Sequence, residues 1–236
     1  MSDQSKQGIS NDPAQIAALV RVLIALLVTG LGVVLAYVIL SLPSVAVGLS
    51  QVVNVHLQQS GVTNPVTAVL LNFRGYDTLL EMVVLLLALM GVWALGGAAH
   101  FHDDAPGPVL NTLARLLVPV LIMVAAYLLW VGAHAPGGAF QAGSVLGAAG
   151  VLLLLAGWRP PIALMALPLR FVLVIGPAAF VAIALGTLVS KGQLLAYPVN
   201  NAGLLILVLE AAATVSIGVT LAALFVGGQP QDEQHK

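Results

Sequence analysis

Asn72-Phe73-Arg74-Gly75-Tyr76-Asp77-Thr78-Leu79-Leu80-Glu81 sets an arginine and two carboxylates at the mouth of a hydrophobic segment that runs unbroken from Met82 to Leu95. Charge is expensive in such a place, and the leading reason to keep it is ion or proton handling inside a membrane. The rest of the chain has little charge to spare. Of 236 residues 60% are hydrophobic and only 7% are charged, with a mean hydropathy of +1.05, whereas a soluble domain carries roughly a quarter charged residues. The fold class that follows is an all-α integral membrane protein.

A spanning helix needs about 20 mostly apolar residues. About six segments qualify: 16–42, 76–95, 113–131, 139–157, 171–190 and 203–226. Asp12-Pro13-Ala14-Gln15 ahead of the first reads as an N-cap, a proline at N1 and a glutamine at N3. The polar N-terminus and the length of that first run indicate a retained anchor rather than a cleaved leader. All the segments are built from Leu, Val and Ala, so periodicity does not say which faces meet lipid. The longest connection, 43–75, is expected to carry structure of its own or to dock on a neighbour. The charged linker His100-Phe101-His102-Asp103-Asp104-Ala105-Pro106-Gly107-Pro108 divides a two-helix unit, residues 1–100, from a four-helix unit, residues 101–236.

With six crossings, one side of the membrane holds Lys6, Arg21, Arg115, Arg159, Arg170 and Lys236, and the other holds Arg74 and Lys191. Both termini are therefore expected to be cytoplasmic. Arg159 and Lys191 read as orientation anchors. Arg21 either snorkels to the interface or lies on a surface-bound first turn, and Pro168 places Arg170 in an interfacial stretch.

Asp77 and Glu81 are four apart and share one helical face. Arg74 lies one turn earlier if the helix extends back, or on the preceding loop if Gly75 breaks it. Asp77 equally suits an ordinary N-cap in the favourable field of a helix start. Glu81 suits that reading less well, because the matching capping-box position is Leu80 and Glu81 lies about 6 Å beyond the cap. A functional or intersubunit role is the stronger reading for it. Glu210 sits about 12 Å along the last helix, with no cation within a helical turn in sequence. It is either a second relay carboxyl or a structural acid bonded to a neighbouring helix, with Thr214 and Ser216 as candidate hydroxyl partners. His56, His100, His102 and His134 fall in connections, and the His100–Asp104 cluster matches no standard metal-site spacing. No metal or cofactor is expected.

Pro136-Gly137-Gly138 forces a tight reversal between the third and fourth helices. Ala139, Gly143 and Gly147 then recur four apart, and with Gly138 they mark a packing face where a second backbone can approach closely. Pro119 and Pro177 are candidate kinks. No nucleophile–base pair, dinucleotide fingerprint or metal-ligand set appears, so the chain is not expected to be an enzyme by itself. The net charge of −1 argues against a nucleic-acid partner.

Two stretches resemble a known family. Residues 64–81, ending Asn72-Phe73-Arg74-Gly75-Tyr76-Asp77-Thr78-Leu79-Leu80-Glu81, are similar to the "DFRGFDTxGE" stretch in the C-terminal part of the large A subunit of Mrp-type multisubunit Na+/H+ antiporters. The E subunit of membrane-bound hydrogenases shares it. His134-Ala135-Pro136-Gly137-Gly138-Ala139-Phe140-Gln141-Ala142-Gly143 is similar to the "PGGGFQGG" segment of the Mrp B subunit (MnhB-like). This chain departs from the pattern at Asn72 and Leu80, and at Ala139 and Ala142, where the family has aspartate, glycine and two glycines.

The resemblance implies a fused E-type and B-type subunit of a complex related to the membrane arm of respiratory complex I, in a prokaryotic cell membrane. It implies other Mrp-type membrane subunits as partners in a hetero-oligomer. It also implies a Na+ and/or H+ path in which Asp77 and Glu81 bind the ion, Arg74 tunes the affinity and Glu210 relays. The alternatives are a non-conducting structural subunit joining larger antiporter-like subunits, or a membrane-coupling subunit of a hydrogenase-type or other redox-driven complex.

Overall fold

The computed structural model describes residues 13–42, 48–95, 107–158, 167–198 and 200–227. Asp12, the His100–Asp104 cluster, Lys6, Arg159 and Lys236 lie outside the described residues.

Helix α1, Pro13–Ser41, belongs to a unit of its own, and from Val22 onward it is apolar all round in the manner of a lipid-embedded span. The second unit starts at Ser50. The long connection is structured: α2 (Ser50–His56), a 3-10 turn (Leu57–Gln59), α3 (Pro65–Ala68) and a π turn (Val69–Phe73) precede α4 (Gly75–Ala94). Then follow α5 (Pro108–Val131), α6 (Ala139–Leu155), α7 (Leu167–Lys191) and α8 (Ala202–Val226). Helices α1, α4, α5, α7 and α8 are long and apolar enough to cross a membrane. The sixth, α6, has 17 residues, at the short end of what a bilayer core needs.

Local chemistry sets the helix boundaries. Asn64 caps α3 through its Oδ1, which accepts the Val66 N–H at 3.0 Å, and Pro65 fills N1. The Arg74 N–H reaches back five residues to the Val69 oxygen at 2.7 Å, closing the π turn. Arg74 then adopts φ −130°, ψ 36°, outside the helical region, so α4 starts afresh at Gly75.

Prolines 119 and 177 lie inside continuous helices. A proline removes the donor to the carbonyl four residues back, which for Pro177 is Leu173. That oxygen accepts instead the Ser216 hydroxyl of α8 at 2.6 Å, the way a membrane helix re-satisfies a freed backbone group.

Helix α8 is the centre of the bundle. It packs most extensively on α6 and α7, with α4 against both α7 and α8. Small residues make the approach possible: a Cβ placed on Gly143 would lie 2.8 Å from Ile217 Cγ2, and one on Gly147 would lie 3.1 Å from the Gly218 oxygen. In lipid, close backbone packing of this kind replaces the hydrophobic drive. The apolar core gathers Phe180, Ile206, Leu209 and Met82.

Candidate functional site

The turn between α5 and α6 is gripped by the connection ahead of α4. The backbone N–H groups of Thr63 and Asn64 both donate to the Ala133 oxygen at 3.0 Å. The Asn64 Nδ2 donates to the oxygens of Ala135 (2.7 Å) and Gly132 (3.3 Å), and Thr67 Oγ1 donates to Gly132 at 2.5 Å. On the same end of the bundle Leu195, from the α7–α8 connection, packs over Gly75. Three connections therefore meet at the end where α4, α6 and α8 all begin.

Glu81 lies about 9 Å along α4 from Gly75, and Glu210 about 12 Å along α8 from Ala202. The two carboxyls thus stand at similar depth from one end. Asp77 and Glu81 open onto a groove of about 830 Å³ whose other walls include Leu85, Phe140, Ser144 and Ile217. Arg74 is paired: its Nη2 lies 2.5 Å from Asp77 Oδ2. Both partners are well exposed in the isolated chain, so the pair contributes little to folding there. Asp77 is the third residue of α4, not its N-cap, a position that Arg74 occupies without a side-chain bond. Its acid still sits in the first turn, favoured by the helix dipole. Glu81, one turn on, is exposed and has no hydrogen-bond or ion-pair partner among the described residues. Its neighbours Leu80, Val84 and Leu87 are exposed as well, so beyond the Arg74–Asp77 pair this face of α4 is apolar with the Glu81 carboxyl in it.

Glu210 is 3% exposed. Its carboxyl is tucked against the start of α6, where the Ala139 N–H donates to it. Gly138 makes room at φ +100°; a Cβ there would stand 2.7 Å from Glu210 Oε1. The other oxygen, Oε2, is buried without a hydrogen-bond partner. The two hydroxyls considered for it from sequence are engaged elsewhere: Thr214 donates to the Glu210 backbone oxygen at 2.7 Å, and Ser216 to Leu173. Phe140, next to the donating Ala139, lines the groove of Asp77 and Glu81, so the three acids converge on the first turn of α6.

Sequence reasoning singled out Asp77, Glu81, Glu210 and the glycines but assigned nothing to Asn64, Thr67, Phe140 or Ser216's true acceptor. An Asn-Pro pair before an apolar run signals a cap, which would have found half of the role of Asn64. No signal marked its grip on the second turn. Among the described residues no group of three or more His, Cys, Asp or Glu is placed to hold a metal.

Residues 109–229 match the family model of the "domain related to MnhB subunit of Na+/H+ antiporter". The chain belongs to this family. Residues 18–100 match a second model, that of the E subunit of MBH, so an E-type segment and an MnhB-related domain follow one another in one polypeptide. A curated relative, the probable K(+)/H(+) antiporter A/B subunit of Rhizobium meliloti (strain 1021), is 27% identical over 151 residues. That alignment covers 52% of this chain but only 15% of the relative, so the chain spans a small part of that protein's length. Among solved structures, a chain of the archaeal membrane-bound sulfane sulfur reductase, a respiratory membrane complex, matches with a TM-score of 0.68 at 25% identity. The match covers 89% of this MnhB-family chain and 97% of the archaeal one. A chain of the Mrp complex from Dietzia sp. DQ12-45-1b shares the fold, with a TM-score of 0.62 at 24% identity over 98% of this chain and 28% of that one.

Proposed function

We propose that this MnhB-family chain is a membrane subunit of a multisubunit cation/proton antiporter-type complex, lining part of the path taken by Na+ and/or H+. The observation that carries the reading is the convergence of Asp77, Glu81 and Glu210 on the first turn of α6 from one end of the bundle. A carboxyl in a groove exchanges a cation because burial and a neighbouring charge pull its proton affinity in opposite directions. Glu81 is the exchanging group, Asp77 is held in place by Arg74, and Glu210 is the inner relay. Arg74 acts on Glu81 through Asp77 rather than by direct pairing. The chain has no catalytic centre of its own and requires other Mrp-type or complex I-like membrane subunits, which cover the apolar face around Glu81. We place its two parts at 1–100 and 101–236, its termini in the cytoplasm and the assembly in a prokaryotic plasma membrane.

The test is antiport in vesicles carrying the assembled complex. Glu81→Ala and Glu81→Gln are expected to abolish exchange while the complex still assembles. Intact exchange in both, combined with a Gly143→Leu chain that no longer assembles, makes the chain a scaffold and refutes the reading. The length match to the sulfane sulfur reductase chain favours a second version, in which the same path is driven by a redox module. Copurifying iron–sulfur proteins would establish it.

A further inference from the structure

At the opposite end of the bundle from the acids, two cavities adjoin. The first, about 450 Å³, lies among α5, α6, α7 and α8 and is walled by apolar side chains. Gly150, Gly218 and Ala222 line it where α6 and α8 pack closely, a Cβ on Gly150 standing 3.1 Å from Ala222 Cβ. The indoles of Trp93 and Trp158 form part of that wall. The second, about 390 Å³, holds Asn111 and Arg115. The two share three wall residues, Val118, Leu153 and Trp158.

Each part of this composite has an unmet requirement. A void walled by apolar groups does not hold water stably, and its lining loses dispersion contacts for want of neighbours. Arg115 is the eighth residue of α5, about 10 Å from the helix start. Its guanidinium has no anion among the described residues, and the Asn111 side-chain amide, one turn back on the same face, has no partner there either. Pro119 additionally leaves the Arg115 carbonyl without its helical donor. A charge at this depth needs an anion or a route to the interface.

We propose that the composite site binds one anionic phospholipid. The headgroup phosphate lies on Arg115 with Asn111 beside it, and one acyl chain passes Val118, Leu153 and Trp158 into the apolar cavity. Charge complementarity selects this occupant over a neutral lipid. The adjacency of the two cavities selects it over a free phosphate, which would leave the larger one empty, and an apolar helix of another protein would leave Arg115 unpaired. Nothing in this assignment depends on ion exchange by the acids.

The test uses the full chain carrying Trp130→Phe, so that Trp93 and Trp158 report alone, in nanodiscs of phosphatidylcholine containing a minor fraction of phosphatidylglycerol. Phosphatidylglycerol brominated on its acyl chains is expected to quench the two tryptophans at about one-fifth of the concentration that brominated phosphatidylcholine requires, the factor one basic residue contributes at a membrane surface. Arg115→Gln, a change that leaves the core untouched, should erase that preference. Ala223→Phe, which fills the cavity, should erase the same preference and leave only equal quenching of the half-exposed Trp158 by the two lipids. Equal quenching by the two lipids in the parent chain would overturn the proposal, as would a preference that survives Arg115→Gln. A copurifying polypeptide crosslinked to position 158 would overturn it too.

Discussion

Gly138→Ala separates the two things that this glycine does. Its backbone, φ +100° and ψ −172°, lies in a region that essentially only glycine occupies, and forcing a Cβ into it costs about 1–3 kcal/mol. The same Cβ would stand 2.7 Å from Glu210 Oε1, so the carboxyl must leave the Ala139 N–H. Losing that bond and burying both ends without partners costs about 1–3 kcal/mol more. The second component vanishes if the carboxyl is absent. A cycle of Gly138→Ala, Glu210→Ala and the double variant should therefore show a coupling of about 1–3 kcal/mol, with the glycine substitution cheaper in the Glu210→Ala background. Reversible unfolding of the purified chain in one detergent, followed by tryptophan fluorescence, reads this directly. Strict additivity would refute the account, because the carboxyl would then not rest on the turn.

Asn64→Ala should lower stability by about 1–3 kcal/mol, since it strands the Ala135 oxygen and leaves the Gly132 oxygen to Thr67 alone; Asn64→Asp should not restore it, because the carboxylate has no N–H to donate. Ser216→Ala should cost about 1–2 kcal/mol by orphaning the Leu173 oxygen, and Pro177→Ala should cancel most of that loss by restoring a helical donor, both read as shifts in unfolding midpoint. Tyr197, in the α7–α8 connection, is buried and its hydroxyl has no partner among the described residues. Burial pushes the phenol above its ordinary value of 10. Its contribution is then complete below about pH 10 and declines as pH rises further, because the unfolded chain ionises first. Tyr197→Phe should flatten that alkaline decline, measured as unfolding midpoint against pH, and be neutral or stabilising at pH 7.

The spans were legible because a bilayer imposes a length and an apolar composition, and residues 76–95 or 203–226 satisfy both with little ambiguity. The break before α4 was half legible: Gly75 offered it, but the π turn that leaves Arg74 non-helical depends on how the Val69–Phe73 stretch packs. Which faces meet was not legible. Leu, Val and Ala fill every side of α8, so little beyond Glu210, Thr214, Ser216, Gly218 and Thr220 distinguishes one face from another. Thr214 bonds back within its own helix, but the acceptor of the Ser216 hydroxyl, Leu173, lies far along the chain. Pro177 announces that one carbonyl needs a donor without naming the donor. The grip of Asn64 on the α5–α6 turn belongs to the same class, a hydrogen bond across about 70 residues.

That grip bears on how the two family segments work as one chain. The Asn64 side chain lies in the stretch resembling the E-type unit, and the turn it holds lies in the MnhB-related domain; the next residues of that turn, Gly138 and Ala139, hold Glu210. Glu81 enters the same region from the E-type side but finds no partner in its own chain, whereas Glu210 is enclosed. An unpartnered carboxyl on an apolar helix face is a costly arrangement in lipid, tolerable only if a neighbouring protein or a hydrated path meets it. On the proposed reading the outer half of the site is therefore completed in the assembly and the inner half is prebuilt in the chain. The isolated chain in liposomes should then conduct neither Na+ nor H+, while its Glu210 environment, followed through the carboxyl stretch in infrared difference spectra, should match that in the complex. Conduction by the chain alone would contradict this division of the site.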